Sequence, residues 1–224
     1  MARVCVFDVN ETLLDLGALD PHFERAFGDA GVRRVWFLQL LQSALVATVT
    51  GAYSNFGQVG AAALQMVAER EGVDLSDEDR QRILGGIREL PAHPEVTESL
   101  QRLREAGLRL ATLTNSTQQV AEAQMENSGL RGYFEQILSA DAVGRLKPAP
   151  EPYRMAAGSL GVRMEGIRLV AAHAWDVAGA LRAGCAAAFV ARPGMVLDPL
   201  VERPDVVGAD LIEVADRILE AESE

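Results

Sequence analysis

The chain has 224 residues, 49% of them hydrophobic, and a formal net charge of -11. That length allows one sizeable core plus an inserted subdomain, and the acidic balance excludes nonspecific nucleic-acid binding, which needs clustered Lys and Arg. A small anionic substrate is not excluded, because a few buried cations can dominate one pocket locally.

The first element is the apolar run Arg3-Val4-Cys5-Val6-Phe7, which stops on Asp8 and passes into the polar turn Val9-Asn10-Glu11-Thr12-Leu13. Such a run reads as a buried parallel strand with Asp8 at its carboxyl end, where open α/β sheets assemble their ligand sites. A carboxylate there can serve as a nucleophile, although a single Asp after a strand is as readily a helix cap or turn residue.

From Asp20 to Glu89 strand-like alternation is missing, and the pattern predicts four helices near Pro21–Asp29, Arg33–Thr50, Phe56–Arg70 and Asp77–Arg88, separated by Gly31, Gly51, Asn55 and Gly72. Ser76-Asp77-Glu78-Asp79 reads as a helix amino-terminal cap. The stretch from Val35 to Val49 carries Gln39, Gln42, Ser43 and Thr48, too short and too polar to span a bilayer, so no membrane partner is expected. From Glu95 a βα rhythm follows: helix Glu95–Ala106, strand Leu108–Leu113, helix Thr117–Ser128, strand Gln136–Ser139, helix Glu151–Leu160, strand Ile167–Ala172, helix Ala174–Ala183, strand Ala186–Val190 and helix Leu211–Ala221. The expectation is an α/β core over 1–15 and 94–224, with a helical cap over 16–93 and hinges near Asp15–Leu19 and Leu90–Pro94. Cys5 and Cys185 fall in or beside apolar strand-like segments and read as reduced core residues. With Met1-Ala2-Arg3-Val4 entering a strand without a signal-peptide pattern, cytoplasm is the expected location.

Three further segments end strands in polar groups. Leu108–Ser116 finishes in Thr114-Asn115-Ser116 at a helix start, where backbone N–H groups can hold an anion, or simply cap the helix. Gly144–Tyr153 contains Lys147 and Tyr153 in a loop stiffened by Pro148, Pro150 and Pro152. Leu169–Ala180 ends a strand in a short loop carrying His173 and Asp176.

These four segments, in this order and with a helical insertion after the first, resemble the haloacid dehalogenase (HAD) superfamily over essentially the whole chain. The similarity is strongest to the type II (S)-2-haloacid dehalogenase branch, in the strand-Asp-x-x-x-Thr-Leu opening, the Lys-Pro loop with a following Tyr, and Ala174-Trp175-Asp176. The resemblance implies a HAD-like Rossmannoid core with an inserted cap. It makes Asp8 the nucleophile, Thr12 its support, Lys147 the group that keeps Asp8 ionised, and Asp176 the group that orients Lys147 or the hydrolytic water. Thr114 and Asn115 would bind the substrate carboxylate or orient the nucleophile. Asn10, His173 and Phe37 complete the substrate-facing set, with Tyr153 behind Lys147. The implied substrate is a small anionic organic acid, with no cofactor required, and a homodimer is compatible with the family.

A phosphatase on the same scaffold would need Mg²⁺, a hard ion that prefers carboxylate oxygens. The family's phosphatases carry acids where this chain has Asn10 and Ala172, so Asp8, Asn10 and Asp176 would be left to hold the metal. Displacement of halide from carbon has less need of it. Two departures from the dehalogenase branch stand out. Trp36 is followed by Phe37 rather than by the arginine that reaches the leaving halide, with Arg33 and Arg34 about one turn earlier. Ala171 and His173 replace a serine and an asparagine, and His173 could donate to a halide or activate water. Trp36, Phe37, Tyr53 and Phe56 either wall an apolar pocket over a short acid or pack as core.

Overall fold

In the computed structural model, residues 3–223 are described; Met1 and Ala2, where the amino-terminal strand was expected to be entered, and Glu224 lie outside them. Strands β1 (Val4–Phe7), β2 (Leu110–Thr114), β3 (Gln136–Ser139), β4 (Ile167–Ala171), β5 (Ala186–Val190) and β6 (Val206–Gly208) form one parallel sheet. Its order is β3-β2-β1-β4-β5-β6. Residues on β1, β2 and β4 are buried whichever way they point, so the strands read as continuous apolar runs, as a sheet covered on both faces demands. The chain runs outward from β1 to β3, returns to lay β4 against the other side of β1, and then runs outward again. This reversal places the topological switch point between β1 and β4, where ligands bind beyond the carboxyl ends of the strands. Phe7 pairs with Val170, so Asp8 and His173 leave the sheet side by side.

The four inserted helices are α1 (Asp20–Phe27), α2 (Val32–Thr50), α3 (Phe56–Glu71) and α4 (Asp77–Gly86). Asn55 and Gln58 form a capping box at the start of α3, and Ser76 caps α4 by accepting from the Asp79 N–H. Trp36 packs as core: it is fully buried and its indole N–H donates to Gly60 O across the α2–α3 contact at 2.9 Å. The two linkers run together, with Asp15 N donating to Pro91 O at 2.8 Å and His93 N to Leu13 O at 3.0 Å around an antiparallel bridge between Leu14 and Ala92.

After the insertion come α5 (Val96–Glu105), α6 (Gln118–Asn127), α7 (Pro150–Leu160), α8 (Ala174–Ala183) and α9 (Leu211–Ser223). The sequence pattern missed β6. Three residues are too few for a periodicity to register, and the strand is held from afar. Buried Arg168 on β4 grips Asp205 beside β6 and Glu222 on α9 at 2.6–3.0 Å. The strand expected over Leu108–Leu113 is shifted to Leu110–Thr114, because Gly107 turns the chain at a φ of +85°. Among the described residues no helix is long and apolar enough to cross a membrane.

One close approach fixes the site-bearing layer. A Cβ added to Gly179 on α8 would fall 2.6 Å from both Pro148 Cβ and Tyr153 Oη, so α8 meets the Lys147–Pro148 loop and α7 only because that residue has no side chain. Gly179→Ala is therefore expected to destabilise the protein by about 1–3 kcal/mol, the usual cost of overpacking. Urea unfolding at pH 7 measures this, and wild-type stability would contradict the packing.

Candidate active site

The end of β1 supplies Asp8, 5% exposed, and both of its carboxylate oxygens are engaged. Oδ1 accepts from the Lys147 ammonium at 3.0 Å. Oδ2 accepts from Thr12 Oγ1 at 2.8 Å and lies 3.0 Å from His173 Nδ1. Thr12 is itself held by the Ala172 N–H at 3.0 Å, which ties the β1 turn to the end of β4. The Arg192 guanidinium makes two hydrogen bonds to Thr12 O, at 2.7 and 3.1 Å, and a third to Glu95 at 2.7 Å.

Lys147 is buried among acceptors: Asp8, Asp176 Oδ2 at 2.6 Å and Leu113 O at 2.7 Å. Its loop is fastened by Asn115, whose Oδ1 accepts from Lys147 N at 2.8 Å and whose Nδ2 donates to Lys147 O at 3.3 Å. Tyr153 donates to Asp176 Oδ1 at 2.6 Å, so both Asp176 oxygens are occupied. Burial disfavours charge on Asp8, but the Lys147 ammonium and the His173 hydrogen bond outweigh it and hold Asp8 well below the usual carboxylate range. Lys147 is penalised by burial too, yet its two carboxylates keep it firmly protonated. Asp176 is shifted the other way, upward, by its complete burial. Asp8 is thus the ionised carboxylate at the sheet edge, and Asp176 holds the cation in place.

His173 bridges two carboxylates, with Nδ1 toward Asp8 and Nε2 3.0 Å from Glu11 Oε2. Burial lowers its pKa, but these two partners prevail and push it up to about 9. Glu11 was not among the sequence candidates. It is the only described non-glycine residue with positive φ, +59°, a signal that only the folded backbone carries.

The other expected residues are held by neighbours within the chain. Asn10 is fixed by Gln124 Nε2 at 2.8 Å, and Thr114 Oγ1 accepts from Ser116 N at 3.2 Å. Phe37 faces the His173 ring at 5.9 Å between centroids. Tyr53 is 41% exposed, bonds to Asp141 and lines only a small cavity of about 10 Å³ with Ala47 and Arg145, away from Asp8. Phe56 lines a separate cavity with Leu40 and Ile87. Arg33 joins the site through carboxylates, bonded to Asp20 and 3.8 Å from Glu11, whereas Arg34 is exposed on the wall of a cavity of about 670 Å³ that Glu11 and Phe37 also line. A second, tiny cavity of about 10 Å³ touches Lys147, Asn115 and Trp175. The Trp175 indole N–H is buried with no acceptor.

This constellation does not suit Mg²⁺. Cationic or hydrogen-bond donors cover both Asp8 oxygens, Gln124 occupies Asn10 Oδ1, and Ala172 offers no side-chain ligand. Among the described residues no group of three or more His, Cys, Asp or Glu side chains is arranged to hold an ion.

A family model for haloacid dehalogenase-like hydrolases matches residues 2–184. The chain belongs to that family. It is 30% identical over 201 residues to the (S)-2-haloacid dehalogenase of Pseudomonas sp. (strain YL), covering 89% of this chain and 87% of that one. Identity to haloacetate dehalogenase H-2 of Moraxella sp. (strain B) is 29% over 201 residues, or 89% and 90% of the two chains. The structure of L-2-haloacid dehalogenase from Xanthobacter autotrophicus with chloropropionic acid covalently bound superposes with a TM-score of 0.89 at 25% identity, covering 96% of this chain and 98% of that chain.

Within this dehalogenase-like site the His173 shift has a definite sign. A group whose pKa rises from 6.5 in the open chain to about 9 on folding contributes stability that is fully present below pH 6.5 and lost as pH climbs through about 9. The urea midpoint of the wild type should therefore fall more steeply than that of His173→Gln over that interval. Parallel pH profiles would show that His173 is not held as an imidazolium.

Proposed function

We propose that the chain is a metal-independent 2-haloacid dehalogenase, in which Asp8 displaces halide from a short 2-haloalkanoic acid and water opens the resulting aspartyl ester to the 2-hydroxy acid. The observation that carries the reading is the Lys147 ammonium 3.0 Å from Asp8 in a buried site, supplying the positive charge that a phosphatase of this scaffold would take from Mg²⁺. The relatives' names point to the same substrate class, and the covalently bound acid in the Xanthobacter protein supports an ester intermediate.

Attack on carbon needs an ionised, desolvated nucleophile in line with the leaving group. Asp8 meets both conditions, since it stays charged through Lys147 while almost no water reaches it. Thr12 restrains Oδ2 and Asp176 keeps Lys147 from drifting. Trp175, whose ring centroid lies 5.9 Å from the Lys147 ammonium, has a buried indole N–H without an acceptor, a donor for an anionic group of the substrate or for the departing halide. The cavity of about 10 Å³ beside Lys147 has room for one water, not for a haloacid, and we take the inserted helices to act as a cap that lifts at the paired linkers to admit substrate. Phe37 contributes an apolar wall beside the His173 ring, leaving stabilisation of the departing halide to neutral N–H donors. We take the enzyme to work in the cytoplasm on a free small acid.

The experiment is a panel of 2-haloacids and phosphate esters assayed with and without EDTA. Halide release from 2-chloropropionate should be unaffected by EDTA and fall to background in freshly purified Asp8→Asn. Phosphate release that EDTA abolishes, with no halide from any haloacid, would overturn the reading.

A further inference from the structure

Every hydrolase that works through an ester must also activate the water that opens it. Asp176 is poorly placed for that task, with one oxygen bonded to Lys147, the other to Tyr153, and no solvent exposure. Lys147 is held protonated and can only donate. His173 differs from both: its Nδ1 faces Asp8 directly, while its other nitrogen is bonded to a second carboxylate that borders open space.

Resting on the dehalogenase reading, we propose that His173 and Glu11 form a dyad that hydrolyses the aspartyl ester, with His173 as the general base and Glu11 as the residue that positions it. The arrangement is a nucleophile, a base and an orienting carboxylate within hydrogen-bond distance of one another, the logic of a triad. Two observations support it beyond the distances. Glu11 holds a left-handed backbone, a conformation unfavourable for a non-glycine residue, while its carboxylate meets Nε2. Its carboxylate also lies 3.8 Å from Arg33, and the residue lines the cavity of about 670 Å³, so the outer partner of the dyad borders open space.

The steps balance. In the first, an Asp8 oxygen bonds to C2 of the acid and the carbon–halogen bond breaks, with the halide taking the electron pair. Asp8 then carries no charge, and His173 loses one of the two carboxylates that keep it protonated. The Nδ1 proton passes to solvent, and the ring draws back to admit a water. Neutral His173, with Nε2–H donated to Glu11, takes a proton from that water as its oxygen bonds to Asp8 Cγ. Collapse breaks the bond from Cγ to the substrate-bound oxygen, which leaves as the 2-hydroxy acid with the proton from His173. The resulting Asp8 carboxyl passes its proton back to His173. One proton and one halide are released per turnover, as the overall hydrolysis requires.

The test separates the two half-reactions in rapid-quench experiments with (S)-2-chloropropionate on the full chain. In Glu11→Gln, halide should appear in a burst of about one equivalent per site at close to the wild-type rate. Steady-state turnover should drop by about 10²-fold, the lower range for loss of acid–base catalysis, and the ester should accumulate on Asp8 by intact mass. In His173→Ala the same ester should accumulate, and added imidazole should restore turnover. The burst amplitude counts folded, reactive sites in each variant. A burst slowed in proportion to turnover, with no ester trapped, would overturn the proposal, as would unchanged turnover in both variants. Lack of halide release from the wild type would instead refute the dehalogenase reading itself.

Discussion

Burial of the Lys147 ammonium between Asp8 and Asp176 is the constraint around which the site is organised. An ammonium with no exposure survives only if its hydrogens meet acceptors, and here all three do: two carboxylates and Leu113 O. Each acceptor comes from a different part of the sheet edge, so the cation fastens β1, β2 and the start of α8 to one another. The cost of burying the charge is offset by pairing, and removing one partner from such a group is typically worth about 3–5 kcal/mol. Tyr153, Asn115 and Gly179 gain their roles from this cation. Tyr153 holds the far side of Asp176, Asn115 fastens the loop backbone, and Gly179 leaves space for both.

Sharing one cation also differentiates the two acids. Asp8 faces Lys147, Thr12 and His173 and remains ionised, whereas Asp176 is fully enclosed and shifted upward. A pair of similar side chains thus acquires dissimilar properties from its surroundings, one suited to attack and one to support. Stability and function are coupled here, because the interactions that prepare Asp8 also hold the switch point of the sheet together.

The sequence exposed those parts of the site that lie at strand ends. Asp8, Thr12, His173 and Asp176 lie just beyond apolar runs and Lys147 opens a proline-stiffened loop, and the α/β architecture brings such positions together. What stayed hidden depends on contacts between residues far apart in the chain. In the sequence Glu11 is an ordinary turn residue; its left-handed backbone and its bond to His173, 162 positions away, belong to the folded chain. Gln124 sits on an unremarkable helix face and reaches Asn10 across 114 positions. Arg192 reaches Thr12 across 180. The aromatic residues of α2 show the same limit from the other side, since helical spacing could not separate Trp36, which is core, from Phe37, which faces the site.

The central claim, that Asp8 itself attacks carbon, is tested most directly by oxygen tracing. In a single turnover with enzyme in excess in ¹⁸O water, the 2-hydroxy acid should carry unlabelled oxygen from Asp8, and the label should be found in the Asp8 peptide. Label in the first-turnover product with an unlabelled Asp8 would mean that water attacks the substrate directly, and would contradict the covalent mechanism.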